Sequence, residues 1–258
     1  MNHKPLALVT GASGGIGEEI AKQLSHKYRL VLVARNQDKL EALSKELGGA
    51  EVIALDLAAP DATQQLMAQL EARGLEIEVL VNNAGFGEYG EFHLSSPQKL
   101  EQMIFLNINT LTMLTRALLP KMIAAKQGKI LNVASTAAFM PGPLMAVYYA
   151  SKAYVLSFGE ALDEELRGTG VSVTTLCPGP VKTGFQDRAD MNDSKLLQSP
   201  MNPMMTSQEV ASQAVAALEN KARVVIPGII NQVLAFSPRL MPRAFVPSMV
   251  KNAQARNH

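Results

Sequence analysis

The chain has 258 residues and 47% of them are apolar, enough to fill the core of one α/β domain. A formal net charge of +1, 5% aromatic content and the lack of Trp provide neither a basic nor a base-stacking surface for nucleic acid. One cysteine, Cys177, makes no internal disulfide, and four scattered histidines, His3, His26, His93 and His258, lack metal-ligand spacing.

Met1 leads almost directly into a strand-like stretch at Leu6, which leaves no room for a signal peptide, and no uncharged apolar run reaches transmembrane length. A cytoplasmic location is expected, in keeping with the single thiol. Short β-branched runs then alternate with stretches of helical periodicity. The expected strands are Leu6–Thr10, Leu30–Ala34, Val52–Leu55, Val79–Asn82, Lys129–Val133, Val171–Cys177 and Val224–Ile226, and helices are expected to start near Gly15, Gln37, Asp61, Pro97, Tyr148 and Ser207. Ser96 before Pro97 is a good N-cap, Thr206 with Glu209 spells a capping box, and Gly74 and Gly170 stand where helices should stop. Such alternation predicts right-handed crossovers and a parallel sheet covered on both faces. The one long irregular stretch, Lys182 to Met205, follows the C-terminal end of a strand, where open α/β sheets bind ligands; residues 183–206 are expected to form a lid.

The first strand runs into Thr10-Gly11-Ala12-Ser13-Gly14-Gly15-Ile16-Gly17. A glycine-rich turn at a strand-to-helix junction brings backbone N–H groups and the helix dipole to a pyrophosphate. The spacing differs from the G-x-G-x-x-G fingerprint and lacks a P-loop lysine, so the position in the chain carries the reading as much as the glycines do. The second strand ends Val33-Ala34-Arg35-Asn36. An NAD site usually carries a carboxylate near here, whereas an arginine matches the 2′-phosphate of NADP; the rival reading is a solvated arginine opening a helix. Asp56 either accepts from an adenine amino group or caps a loop.

Tyr148 and Lys152 lie four apart on an expected helix and share a face. A tyrosine titrates near ~10, and acid/base work near neutrality asks for about three units less, about 4 kcal/mol. A cation about 4 Å away at an effective dielectric of ~20 supplies about that. Tyr149, three from Lys152, is not excluded by this spacing. Ser135, after the fifth strand, can polarise a carbonyl or merely cap a turn, and Asn107, mid-helix, can hold a water or satisfy backbone.

Together these residues resemble the short-chain dehydrogenase/reductase family. The glycine turn, Asn82-Asn83-Ala84-Gly85, Tyr148-Tyr149-Ala150-Ser151-Lys152 and Pro178-Gly179-Pro180-Val181-Lys182-Thr183 all match, in order, over about residues 5 to 227. The resemblance implies a Rossmann-type doubly wound, mostly parallel seven-stranded sheet in a single domain, 1–258. It implies a catalytic set of Asn107, Ser135, Tyr148 and Lys152, and this selects Tyr148 over Tyr149. Lys152 is then expected both to hold the nicotinamide ribose and to tune Tyr148. For the cofactor, NADP(H), it implies contacts from Gly11, Ser13, Gly14, Gly15, Ile16, Gly17, Arg35, Asp56 and Leu57. Asn82, Asn83, Ala84 and Gly85 would line the adenosine side, and Pro178, Gly179, Val181 and Thr183 the nicotinamide.

The expected activity is hydride transfer between NADP(H) and a carbonyl or secondary alcohol; an NADP(H)-sensing protein without turnover is the alternative. Phe139, Met140, Leu144, Met145, Met191, Met201, Met204 and Met205 point to a hydrophobic substrate. A homodimer or homotetramer is implied. From Asn220 to His258 there is no acidic residue, and apolar positions recur at helical spacing between Pro238, Pro242 and Pro247. This 228–258 extension is expected to pack on its own domain or a second subunit, with membrane contact the less favoured reading because the prolines shorten its helices.

Overall fold

Strand β1, Leu6–Thr10, is buried along its whole length, as a strand with helices on both faces requires. In a computed structural model that describes residues 4–189, 191, 194 and 204–255, it lies at the centre of a seven-stranded sheet ordered β3-β2-β1-β4-β5-β6-β9. The others are β2 (Arg29–Ala34), β3 (Glu51–Ala54), β4 (Ile77–Asn82), β5 (Gly128–Val133), β6 (Val171–Leu176) and β9 (Val224–Val225). Every pairing is parallel, so the expected "mostly parallel" is wholly parallel in this sheet. A second, two-residue ribbon pairs β7 (Val181–Lys182) with β8 (Met205–Thr206).

The two faces carry separate cores. On one, Ile20 and Leu24 of α1 (Gly15–Leu24), Leu40 and Leu43 of α2 (Gln37–Glu46), and Val210 and Leu218 of α8 (Ser207–Glu219) meet the sheet. On the other, Leu66 and Leu70 of α3 (Ala62–Ala72) pack with Leu114 and Leu118 of α5 (Leu111–Ala124). The chain winds outward from β1 in both directions. The β1 and β4 ends therefore flank the crevice where the strand order reverses, the place at which doubly wound sheets take ligands.

The capping chemistry is as expected at two helices. Ser96 Oγ accepts from Lys99 N ahead of α4 (Pro97–Ile104), and Thr206 and Glu209 form a complete capping box at α8. Gly74 closes α3 with a positive φ of 62°, with Leu75 N–H donating to Leu70 O across it. Gly170 does not stop a helix, because α6 (Ala146–Glu165) ends earlier. Its own place is a close backbone approach to Lys126 O that a Cβ would block.

The helix opened by Pro97 runs on through a π-helical segment, Phe105–Thr110, into α5. Part of the expected irregular stretch is ordered as α7 (Phe185–Ala189). Half of the expected lid, including Met201, lies outside the described residues. The C-terminal extension consists of α9 (Ile229–Phe236), a 3-10 turn (Ser237–Leu240) and α10 (Val246–Gln254), short pieces as the prolines require.

Candidate active site

The glycine turn is tied to both neighbouring strands. Gly11 N and Ala12 N donate to Val33 O at the end of β2. Thr10 Oγ1 donates to Val81 O and accepts from Asn83 N and Ala84 N, each at 3.0–3.1 Å. Asn83 Nδ2 reaches back to Thr10 O at 2.9 Å and Gly11 O at 3.2 Å. A Cβ on Gly11 or Gly17 would strike this amide, so these glycines make room for a brace within the protein. Asn83 is thus a strut under the turn, and neither it nor Thr10 was legible in that role.

Above the brace the turn is open. Nothing stands within 4 Å of where a Gly14 Cβ would be, and Gly14 provides no side-chain cap for α1. Ser13 is half-buried, and Ile16 packs against the core below. The turn leaves the α1 N-terminal N–H groups uncovered at Gly14, where an anion can approach them. Thr183 Cγ2 would lie 3.2 Å from a Cβ on Gly15, which brings the loop after β7 against the turn. Arg35 is exposed at the end of β2 and makes no ion pair among the described residues. A free guanidinium beside an open turn fits a cofactor carrying an extra phosphate, which favours the 2′-phosphate reading over a neutralised surface arginine. Asp56 Oδ1 accepts from Ala58 N in a local turn, the loop role weighed against adenine binding. Leu57 is buried, and its carbonyl accepts from Thr110 Oγ1.

Asn82 is buried at the end of β4, and its amide donates to Thr115 Oγ1 and Asn132 Oδ1 at 3.0 and 2.9 Å. Its side chain stitches β4 to β5 and α5 and is spent on packing within the sheet.

At the other end, the π segment sets Asn107. Its Nδ2 donates to Phe86 O and Ser151 Oγ, both at 3.0 Å, and its Oδ1 accepts from Phe86 N at 3.2 Å. Asn107 thereby clamps the loop after Gly85 to α6, and the backbone-satisfying role is the one seen. A Cβ on Gly85 would come within 3.0 Å of Asn107 Oδ1 and 3.5 Å of Lys152 Nζ, so these three groups converge.

Ser135 Oγ accepts from Ala137 N to cap the 3-10 turn Thr136–Phe139 and donates to Pro178 O at 3.4 Å, and it lies close enough to Tyr148 to favour that hydroxyl's ionised form. Tyr149, by contrast, is buried and its hydroxyl accepts from Gln254 Nε2 of α10. Lys152 is buried, lies 5.7 Å from the Tyr148 ring centroid and donates to Val133 O at 2.8 Å.

The expected lowering of Tyr148 by Lys152 is not found. Burial pushes the Tyr148 hydroxyl above its ordinary range, against the pull of Ser135. The same burial pushes Lys152 down to about 8. The reason is geometric and dielectric: the ammonium lies over the ring and bonds a carbonyl, while the dry surroundings disfavour both charged forms.

Pro178 O accepts from Thr136 N, and Gly179 leaves room for the Asn231 side chain of α9, where a Cβ would clash. Val181 is core-packed, and its carbonyl accepts from Gln186 Nε2 at 2.6 Å. Among the expected pocket residues, Met140, Met145 and Met191 gather around Tyr148 and Tyr149, and Met145 and Leu144 line a small cavity of about 30 Å³ beside Tyr148. Met205 packs in the opposite core, and Met204 lies beside Gln186. No metal-ligand cluster occurs among the described residues.

The family model described as short chain dehydrogenase matches residues 5–194. The chain belongs to the short-chain dehydrogenase family. It is 37% identical to the human very-long-chain 3-oxoacyl-CoA reductase over 187 residues, 69% of this chain and 59% of that one. It is 37% identical to the NADP-dependent 3-hydroxy acid dehydrogenase of Escherichia coli over 215 residues, 81% and 87% of the two chains. The solved short-chain dehydrogenase from Sphingobium yanoikuyae in complex with NADPH superposes with a TM-score of 0.80 at 32% identity, covering 87% of this chain and 88% of that one. The chain spans about three fifths of the length of the human and bovine 3-oxoacyl-CoA reductases it matches.

Proposed function

We propose that this short-chain dehydrogenase uses NADP(H) to interconvert a carbonyl and a secondary alcohol on a hydrophobic substrate. The observation that carries the reading is the buried Lys152 over the Tyr148 ring, with Ser135 acting on that tyrosine, while the Tyr149 hydroxyl is taken up by Gln254. The open turn at Gly14 and the unpaired Arg35 support NADP(H), as do the NADP-linked names of the relatives. Bound there, NADP(H) supplies the hydride for reduction or accepts it in oxidation.

In reduction, Tyr148 gives its hydroxyl proton to the substrate oxygen, and in oxidation it takes that proton back. Ser135 holds the same oxygen by a hydrogen bond. Lys152, whose burial brings its titration down to about 8, is the buried group beside Tyr148 that can return a proton to it. Asn107 holds the Phe86 loop and α6 in register. Glu88 and Ser95 line the small cavity beside Tyr148 along with Phe92, Leu100, Leu144 and Met145, so the apolar reading of the substrate rests on Met140, Met145 and Met191 around Tyr148 and Tyr149. Residues 183–206 act as a lid, 228–258 complete the single domain, and a homodimer or homotetramer is the working form.

The test is Tyr148→Phe against the parent, with a panel of apolar ketones and both NADPH and NADH. Turnover should fall by about 10²-fold or more while NADPH binding, read by its fluorescence, persists. Full activity in the variant, preference for NADH, or NADPH binding with no carbonyl turned over by the parent would each reject part of the assignment.

A further inference from the structure

We infer that α9, the 3-10 turn and α10 together form a face that docks on an anionic lipid bilayer. The extension is two-sided. Its inner side carries Asn231 and Ala235 of α9, and Val246, Val250 and Gln254 of α10, all buried against the site. Its outer side carries Ile229, Val233 and Phe236 of α9, spaced four and three apart and so on one helical face, and Leu240 in the 3-10 turn that follows. Ile229 is 79% exposed, Val233 63%, Leu240 90% and, at the start of α10, Phe245 65%. Side chains of this size clustered in water mark a surface meant for contact.

Charge selects the occupant. Arg239, Arg243 and Lys251 are exposed on the same segment, and no Asp or Glu occurs from 220 to 258. The Arg239 guanidinium lies 5.3 Å from the Phe236 ring centroid, which puts a cation at the edge of the apolar face. A second copy meeting this face by two-fold symmetry would set these cations against their own equivalents, with no acid in the segment to offset them. Anionic headgroups offset them, and the apolar side chains then enter the acyl boundary. Short helices suffice for this, since the element lies on the surface; no described helix is long and apolar enough to cross a membrane.

The face also adjoins the site. Phe236 packs against Phe139, in the turn that Ser135 caps, with ring centroids 6.4 Å apart. α10 reaches the site's loops through Tyr89 and Tyr149. Docking would set the cleft beside a bilayer, a source of apolar substrate.

The experiment is cosedimentation of the full chain with vesicles of phosphatidylcholine alone or mixed equally with phosphatidylglycerol. Pelleting with the mixed vesicles and not with the neutral ones is expected. The triple variant Arg239→Gln/Arg243→Gln/Lys251→Gln should bind about a hundredfold more weakly, since each cation near such a surface contributes a factor of about five. Leu240→Ser/Phe245→Ser should also release the protein, at an unchanged melting temperature because both side chains are exposed. No pelleting of the parent, or equal pelleting of the triple variant, would overturn the inference. So would self-association abolished by Leu240→Ser/Phe245→Ser without vesicle binding, which would make the face an interface between copies. None of these readouts uses turnover, so the inference stands or falls apart from the hydride chemistry.

Discussion

Replacing Asn107 with Ala removes three hydrogen bonds at once: those to Phe86 O and Ser151 Oγ and that from Phe86 N. At about 1 kcal/mol net each, the loss comes to about 3 kcal/mol. Ser151 keeps its bond to Tyr148 O, so the uncompensated groups are the Phe86 N–H and C=O. In a chain of this size each kcal/mol moves the melting temperature by roughly 2–4 °C, so a fall of roughly 6–12 °C is expected by calorimetry. The Phe86 amide should also exchange its hydrogen at least about tenfold faster, because its only acceptor among the described residues is the side chain removed. A melting temperature within about 2 °C of the parent, with Phe86 exchange unchanged, would refute the clamp and return Asn107 to a role in holding water.

Two further outcomes follow from buried polar groups. Gln254 carries one satisfied donor to Tyr149 and one buried oxygen without a partner among the described residues, so Gln254→Leu should change stability by under about 1 kcal/mol. Tyr149→Phe, which strands the Gln254 donor, should cost about 1–3 kcal/mol; equal losses in chemical denaturation would contradict this. Lys152 binds its proton less tightly when folded, near 8, than when unfolded, near 10.5, so burying the charge costs stability below pH 8 and the cost fades as pH rises from 8 to 10.5. The stability of Lys152→Met relative to the parent should therefore fall by about 3 kcal/mol between pH 7 and 10.5; a flat difference would exclude a depressed lysine.

The sheet was legible because buried strands must be continuous apolar runs. All seven expected runs match observed strands to within two residues, from Leu6–Thr10 to Val224–Val225. Position and spacing left Tyr149 and a merely capping Ser135 open, and it was the resemblance that selected Tyr148 and Ser135; the loop after β5 and the start of α6 put the two near each other. The π segment left no mark on the pattern, since its apolar spacing differs by a single residue from a plain helix. Asn82 and Asn83 looked equivalent, yet strand alternation sends Asn82 into the sheet's packing and leaves its neighbour to brace the turn. The lysine's influence on Tyr148 was misjudged for another reason. Spacing gives proximity, but not which end of a ring a cation faces, nor how far burial disfavours both charges.

The contact between α10 and the site has a consequence for the nascent chain. Gln254 closes onto Tyr149 across 105 residues and onto Tyr89 across 165. At translation speeds of about 5–20 residues per second, Tyr149 leaves the peptidyl-transfer centre some 5–20 s before its partner is made. At the start of that interval β1 to β5 and the phosphate end are already synthesised, while β6, β9 and the wall behind the reacting tyrosine are still to come. The protein therefore gains its phosphate end early and the wall of its reacting end late, and a chain stopped short of Gln254 would leave Tyr149 without that partner.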